Sequence, residues 1–233
     1  LRMSEDKSII LGFRGVVYRL PDNTGAAPLS LEFQGGTITG LVPDREDACT
    51  VLFDVAEGLV VPESGETFFL GRNWKEARPS DENRMRSQIG RVFRGKAWIS
   101  NLSVLENITL ARVFHSGRGK DGIVEDLESV MHDAGLAAIP SCRPHELSEA
   151  DSQVCQWVRA FLGPRKLVLL EDPASGVPDG RTEGLGRLAR RCISRGGAVA
   201  WVASKDDSWK ALSIVPHRVA SLRNGQWVVR EGG

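Results

Sequence analysis

Thr37 to Val42 reads TITGLV, Pro43 to Thr50 reads PDREDACT and Val51 to Gly58 reads VLFDVAEG, and the passage from the first to the third decides the fold. TITGLV is a short, buried-looking run that predicts a strand. After Pro43-Asp44 the period changes, because Val51, Leu52, Val55 and Leu59 recur at helical spacing, and Gly58 and Pro62 end that helix. Upstream, Ile9 to Tyr18 and Leu29 to Phe33 read as strands around a turn-rich stretch (Pro21, Asp22, Asn23, Gly25), an antiparallel meander closed by Gly35-Gly36. Downstream, Leu167 to Leu170 (LVLL) and Ala198 to Val202 (AVAWV) are continuous apolar runs suited to central parallel strands, each preceded by a helical pattern. Between them and the first strands, from about Arg94 to Val154, lie charged residues and helix formers, with Ile123, Leu127, Val130 and Met131 on one amphipathic face. The chain closes on a predicted hairpin, Arg218 to Leu222 and Gln226 to Val229 about Asn224-Gly225. Strand, helix, strand order makes this an α/β protein.

Composition narrows the function. The 233 residues carry 30 basic and 30 acidic side chains and 41% hydrophobic residues, the balance of one globular unit with no broad field for nucleic acid or an anionic membrane. No nucleic-acid partner is expected. No apolar run is long enough to span a bilayer, and Arg2, Glu5, Asp6 and Lys7 stand where a secretory signal needs apolar residues. Cys49, Cys142, Cys155 and Cys192 have no metal or disulfide spacing, which fits a reducing, cytoplasmic compartment.

Read in order, GLVVPESGE (Gly58 to Glu66), NLSVLENITL (Asn101 to Leu110), ELS (Glu146 to Ser148), FLGPRKLVLL before Glu171-Asp172-Pro173, and VASLRNGQWV resemble the nucleotide-binding domain of ABC transporters over almost the whole chain. The resemblance implies an ABC-type P-loop NTPase fold: a RecA-like core with an antiparallel β-meander (1–93 and 155–233) and an inserted helical subdomain (94–154). It also implies ATP hydrolysis coupled to a membrane subunit, yet the residues that would carry the chemistry depart from the family pattern.

Counting back from Gly58 places Pro43, Glu46 and Ala48 on the phosphate-loop glycines, Cys49 on its lysine and Thr50 on the magnesium-binding hydroxyl, with Asp44, Arg45 and Asp47 between them. Only the hydroxyl is kept. Asp44, Glu46 and Asp47 would face the phosphates, and like charges ~4 Å apart cost about 4 kcal/mol at an effective dielectric of about 20. The same residues suit a helix start, with Asp44 as N-cap and Glu46 and Asp47 in the first turn, so that carboxylates neutralise the helix end where the family uses a phosphate. The family's magnesium-contacting glutamine is here Arg94, either a solvated loop residue or a partner for those carboxylates. The signature motif becomes Leu147-Ser148-Glu149-Ala150-Asp151, without its glycines; Ser148 suits the cap of the next helix, over Val154 to Leu162, and the change handicaps a partner's site as well.

After LVLL the metal-binding aspartate and catalytic glutamate are reversed as Glu171-Asp172, which draws back any general base by a methylene. Lys205 replaces the switch histidine, and its ammonium can pair with Glu171 or Asp172. Tyr18, the sole tyrosine, falls where the family stacks adenine, although packing at a strand end explains it too. Trp98, Ile99 and Leu102 fall where the family forms a groove for a helix of the membrane subunit, and core packing of the helical subdomain competes with that role. The expectation is a degenerate, pseudo-ATPase subunit that is peripheral on the cytoplasmic face of the inner or plasma membrane. It works beside a transmembrane subunit and a second ATPase subunit or another copy of itself, with no catalytic residue, cofactor or metal. The alternatives are a slow ATPase using MgATP through Thr50, Glu171 and Asp172, and a soluble regulatory protein on the same scaffold.

Overall fold

A computed structural model describes the chain except residues 1–7, 26, 96, 117–120, 204–208, 210–213, 224–225 and 233. Strands β1 (Ile9–Val17), β2 (Leu29–Gln34), β3 (Thr37–Val42), β4 (Ser64–Phe69), β5 (Arg72–Asn73), β6 (Ile89–Val92), β7 (Leu167–Glu171), β8 (Ala198–Val202), β9 (Arg218–Arg223) and β10 (Gln226–Glu231) form two sheets. One is antiparallel, ordered β2-β1-β4-β5; the other is ordered β10-β9-β3-β8-β7-β6, with only the β9–β10 pair antiparallel. Helices α1 (Glu46–Ala56), α2 (Pro79–Arg86), α3 (Val104–Ser116), α4 (Asp121–Ala134), α5 (Glu149–Phe161) and α6 (Asp179–Ser194) cover them.

Strands β3, β6, β7 and β8 of the six-stranded sheet are buried on both faces, whereas β10 is largely exposed, and residue parity assigns each buried side chain to a layer. In β7, Leu167 and Leu169 join a core made with α1 and the antiparallel sheet, while Val168 and Leu170 join a second core made with α3 to α6. β8 repeats this with Ala198, Ala200 and Val202 on one side and Val199 and Trp201 on the other. LVLL and AVAWV are therefore the central parallel strands that their sequence predicts. Among the described residues of the final hairpin, β9 and β10 pair antiparallel as expected; its Asn224-Gly225 turn lies outside the described residues.

Helix α1 ends one turn earlier than the apolar spacing implies. Gly58, at φ 65°, donates its N–H to the carbonyl of Val55, and Leu59 donates to Asp54, the paired bonds of a Schellman turn. Leu59 is consequently outside the helix and exposed. The helix also starts one residue late for the expected cap: Arg45 is the N-cap, extended and without a side-chain cap bond, and Asp44 precedes it, exposed.

Gly90 in β6 lets the strand lie directly on α5, for a Cβ there would meet the Ala160 carbonyl oxygen at 1.9 Å. The obstacle is helix backbone, so Gly90→Ala should cost about 1–3 kcal/mol, the usual range for overpacking, read as a lower urea midpoint at unchanged slope.

Candidate functional site

Parity also sends Arg91 and Glu171 toward α1, in line with Ile89 and with Leu167 and Leu169 of the same strands. Thr50 and Asp54 of α1 and its C-cap Glu57, spaced i, i+4 and i+7, share the face that meets them. Arg91 is 5% exposed and uses its whole fork there: Nε donates to Glu171 Oε1 at 2.6 Å, and Nη1 to Asp54 Oδ1 at 2.6 Å and Glu57 Oε2 at 2.7 Å. Nη2 donates to the Thr50 carbonyl at 3.1 Å, and the guanidinium lies 4.6 Å from the centroid of the Phe93 ring. The Thr50 hydroxyl donates to the other oxygen of Glu171 at 2.6 Å.

One guanidinium thus serves three carboxylates. Burial acts first on Glu57 and raises its pKa, with Asp54 and Glu171 adding to the rise against the pull of Arg91. The facing carboxylates keep Arg91 firmly protonated despite its burial. At the same helix end Arg86 donates to the carbonyls of Glu57 and Gly58, so two cations complement the negative end of α1.

The loop before α1 is arranged differently from the sequence expectation. Pro43 is half-buried, Glu46 is the first helical residue, and Ala48 and Cys49 are buried in the core against β1 and β2. Burial, with Glu171 and Asp44 nearby, pushes the Cys49 thiol far above its ordinary range. Arg45 holds the loop carboxylates: it donates to Asp47 at 3.1 and 2.8 Å and reaches back to Asp22 at 2.6 Å. Tyr18 is 1% exposed, packed among these core residues, with its phenol driven up by burial first and then by Cys49, Asp44 and Asp47. The ring is enclosed, as the packing role expects of a residue at a strand end.

Arg94 is exposed on the loop after β6. The arginine that gathers buried carboxylates is Arg91, which the sequence reading passed over. Its signal was available: an arginine in the middle of a short strand between Ile89, Val92 and Phe93 needs buried acids, and α1 offers a polar stripe at helical spacing. Glu171 ends β7 in the hub, whereas Asp172 is exposed and left-handed at φ 43°. The following turn is fixed from α5, where Gln153 and Trp157 both donate to the Pro173 carbonyl, at 3.0 and 2.7 Å. Lys205 lies outside the described residues.

At the signature position, Ser148 is the N-cap of α5, accepting the Asp151 N–H at 3.1 Å. The helix starts at Glu149, earlier than Val154, because this cap lies directly before it. The Ser148 hydroxyl and then Arg181 hold the Asp151 carboxyl below its usual range. Leu147 packs on the core, Glu149 lies against Gly176, and Ala150 is half-buried. Trp98 packs beside α5 and donates to Ser152 at 2.9 Å, Leu102 is half-buried, and Ile99 is 45% exposed. Asn107, 5% exposed, clamps that loop through bonds with Ile99, Leu102 and Ser103.

In the six-stranded sheet β8 lies between the strand leading to Thr50 and the strand carrying Glu171. The model of the ABC transporter family matches residues 27–175, more than half of the chain. The chain belongs to that family. It is 21% identical over 228 residues to the galactose/methyl galactoside import ATP-binding protein MglA of Haemophilus influenzae, covering 96% of this chain and 44% of that protein. It is 24% identical over 204 residues to ribose import ATP-binding protein RbsA 2 of Agrobacterium fabrum, covering 84% and 38%. The chain therefore spans less than half the length of the curated relatives it matches. Among solved structures, the dimeric bacterial ABC transporter cassette MJ0796 aligns with a TM-score of 0.82 at 17% identity, over 95% of this chain and 98% of that one. The cbiO1 protein of Clostridium perfringens, part of the cbiONQ complex, gives 0.77 at 18% identity over 97% and 89%. The fold is the α/β ABC cassette fold, and among the described residues no helix is long and apolar enough to cross a membrane.

Two predictions follow from the hub of this ABC cassette. Replacing Arg91 by Met strands three carboxylates, two of them largely buried, and should cost about 3–5 kcal/mol at neutral pH by urea unfolding, the range for breaking a buried pair. The second concerns Glu57, whose folded pKa lies above its ordinary 4.5. Its contribution to stability is complete below that ordinary value and is lost as pH rises through the raised one, because the folded chain holds the proton more tightly. Glu57→Gln should flatten this limb of the stability–pH curve, measured as urea midpoints across the acidic to neutral range.

Proposed function

We propose that the chain is a pseudo-ATPase nucleotide-binding-domain subunit of an ABC import system, a structural and coupling partner of a transmembrane subunit on the cytoplasmic face of the membrane. The observation that carries this reading is the guanidinium of Arg91 on Glu171. In the resemblance Glu171 takes the place of a magnesium-site aspartate; here its positive partner is already built into the strand. A dication beside Thr50 and Glu171 would be repelled by Arg91, and displacing Arg91 would leave a buried charge without its partners.

The loop supports the same reading. A triphosphate needs inward backbone N–H groups and a lysine, whereas Cys49 is buried at the lysine position and Arg45 is engaged by Asp22 and Asp47. Magnesium and a triphosphate do not fit this set of side chains, and no step of hydrolysis is assigned to them. Glu171, Asp172, Arg94 and Lys205 are accordingly read as family-equivalent positions without a catalytic role.

The coupling role rests on the helical segment 94–154, read as the subdomain that faces the membrane subunit. There Ile99 and Leu105, both about half exposed, flank the loop that Asn107 holds, and Val113 and Phe114 extend an apolar face along α3. The match to import ATP-binding proteins supports import.

Calorimetric titration with MgATP tests the reading. The natural chain should give no heat at millimolar nucleotide, and a variant carrying Pro43→Gly, Glu46→Gly, Ala48→Gly and Cys49→Lys provides the comparison. Saturable micromolar binding by the natural chain would overturn the proposal in favour of an ATP-hydrolysing subunit.

A further inference from the structure

At the opposite end of β7 from the hub, where the strand begins, a cavity of about 130 Å³ is lined by Phe161, Pro164, Arg165, Lys166, Cys192 and Arg195, with Gly163 and Arg191 completing it. Four cations therefore meet in one small space. Arg191 is neutralised from the α4 side by Asp126 at 3.3 Å and Asp133 at 2.9 Å, and Asp126 also accepts the Gly163 N–H at 2.7 Å. Asp126 also acts on Arg165, against the downward pull of burial, so Lys166 and Arg195 are the lining cations left without an acid among the described residues.

Arg165 donates only to carbonyls, those of Ser87, Ala160 and Ile89, at 2.6, 3.1 and 3.3 Å. Burial, and then Arg112, pulls it down to about 10. Arg112, against Gly163, keeps a buried Nε without a hydrogen-bond partner. Favourable contacts with helix C-terminal carbonyls explain Arg165. They do not explain Lys166 and Arg195, which have no carboxylate partner among the described residues. The remaining walls are apolar: Phe161, Pro164, Cys192 and the methylene stems of the cationic side chains.

We propose that this cavity binds a small organic carboxylate, its anionic end on Lys166 and Arg195 and its apolar body against Phe161, Pro164 and Cys192. Ligand sites of this kind join an apolar pocket to a few convergent charges. A carboxylate would supply the counter-charge that the protein leaves out, through charge-assisted hydrogen bonds. The site is remote from the loop preceding α1 and does not depend on how that loop treats nucleotide.

The test is calorimetry and thermal melting of the full chain with sodium benzoate and sodium hexanoate, using benzamide as the neutral isostere and sodium chloride and sodium phosphate at matched ionic strength. Saturable binding of at least one carboxylate with a raised Tm, and none of benzamide, is expected. Lys166→Ala with Arg195→Ala should weaken that binding by about tenfold or more, because hydrogen bonds to charged groups are the stronger ones. Arg195→Lys, which keeps the charge, should retain most of it. Both positions border solvent, so these variants should melt near the parent in the absence of ligand. No carboxylate binding at millimolar concentration, equal binding of benzamide, an unchanged affinity in the double variant, or binding of phosphate alone would each overturn the proposal.

Discussion

A guanidinium remains charged at any pH a folded protein meets, so a strand that buries one obliges its neighbours to supply acid. Arg91 places that obligation at the junction of β6, β7 and α1, and the rest of the site conforms to it. Thr50, Asp54 and Glu57 are stacked on one face of α1 to meet the fork, and Glu171 turns away from the solvent-exposed Asp172 to reach it. The link spans elements separated by 80 residues in sequence, so it closes the core only after β7 has docked. Burial raises the pKa of one of its carboxyls, Glu57, against the opposing pull of Arg91.

Much of the fold was legible in the sequence because its strongest signals are local. TITGLV, LVLL and AVAWV are apolar on both sides of the pleat, which only a central strand satisfies. Gly58 ended α1 because a left-handed turn needs a residue of its kind, but Leu59 continued the apolar period past the Schellman bonds and was misleading. Asp44 was attractive as a cap by residue type; the backbone instead becomes helical one residue later, after Arg45.

The site was less legible because its central contact is tertiary. Position-by-position resemblance directed attention to Arg94, whereas the arginine buried against Asp54, Glu57 and Glu171 lies three residues earlier, in the strand. Local propensity cannot distinguish an arginine at a loop from one inside a sheet; the apolar residues around Arg91 could have done so. Tyr18 illustrates the converse. Its position suggested a ligand, but the strand end delivers the ring into the core cluster that also holds Cys49, where it is 1% exposed. Ser148 capped α5 as its residue type suggested, since that bond needs only three residues of chain.

The clamp made by Asn107 bears on the kinetics of the association proposed for this face. Because one buried amide accepts the Ile99 N–H and donates to three carbonyls of the same loop, the apolar tip is ordered during folding rather than on contact. Much of the conformational entropy that a mobile loop would lose at an interface has already been lost in the free chain. Encounter orientation, not loop rearrangement, then sets the association rate for a rigid partner. A partner that must itself order on binding carries nearly all of the entropic penalty on its own side.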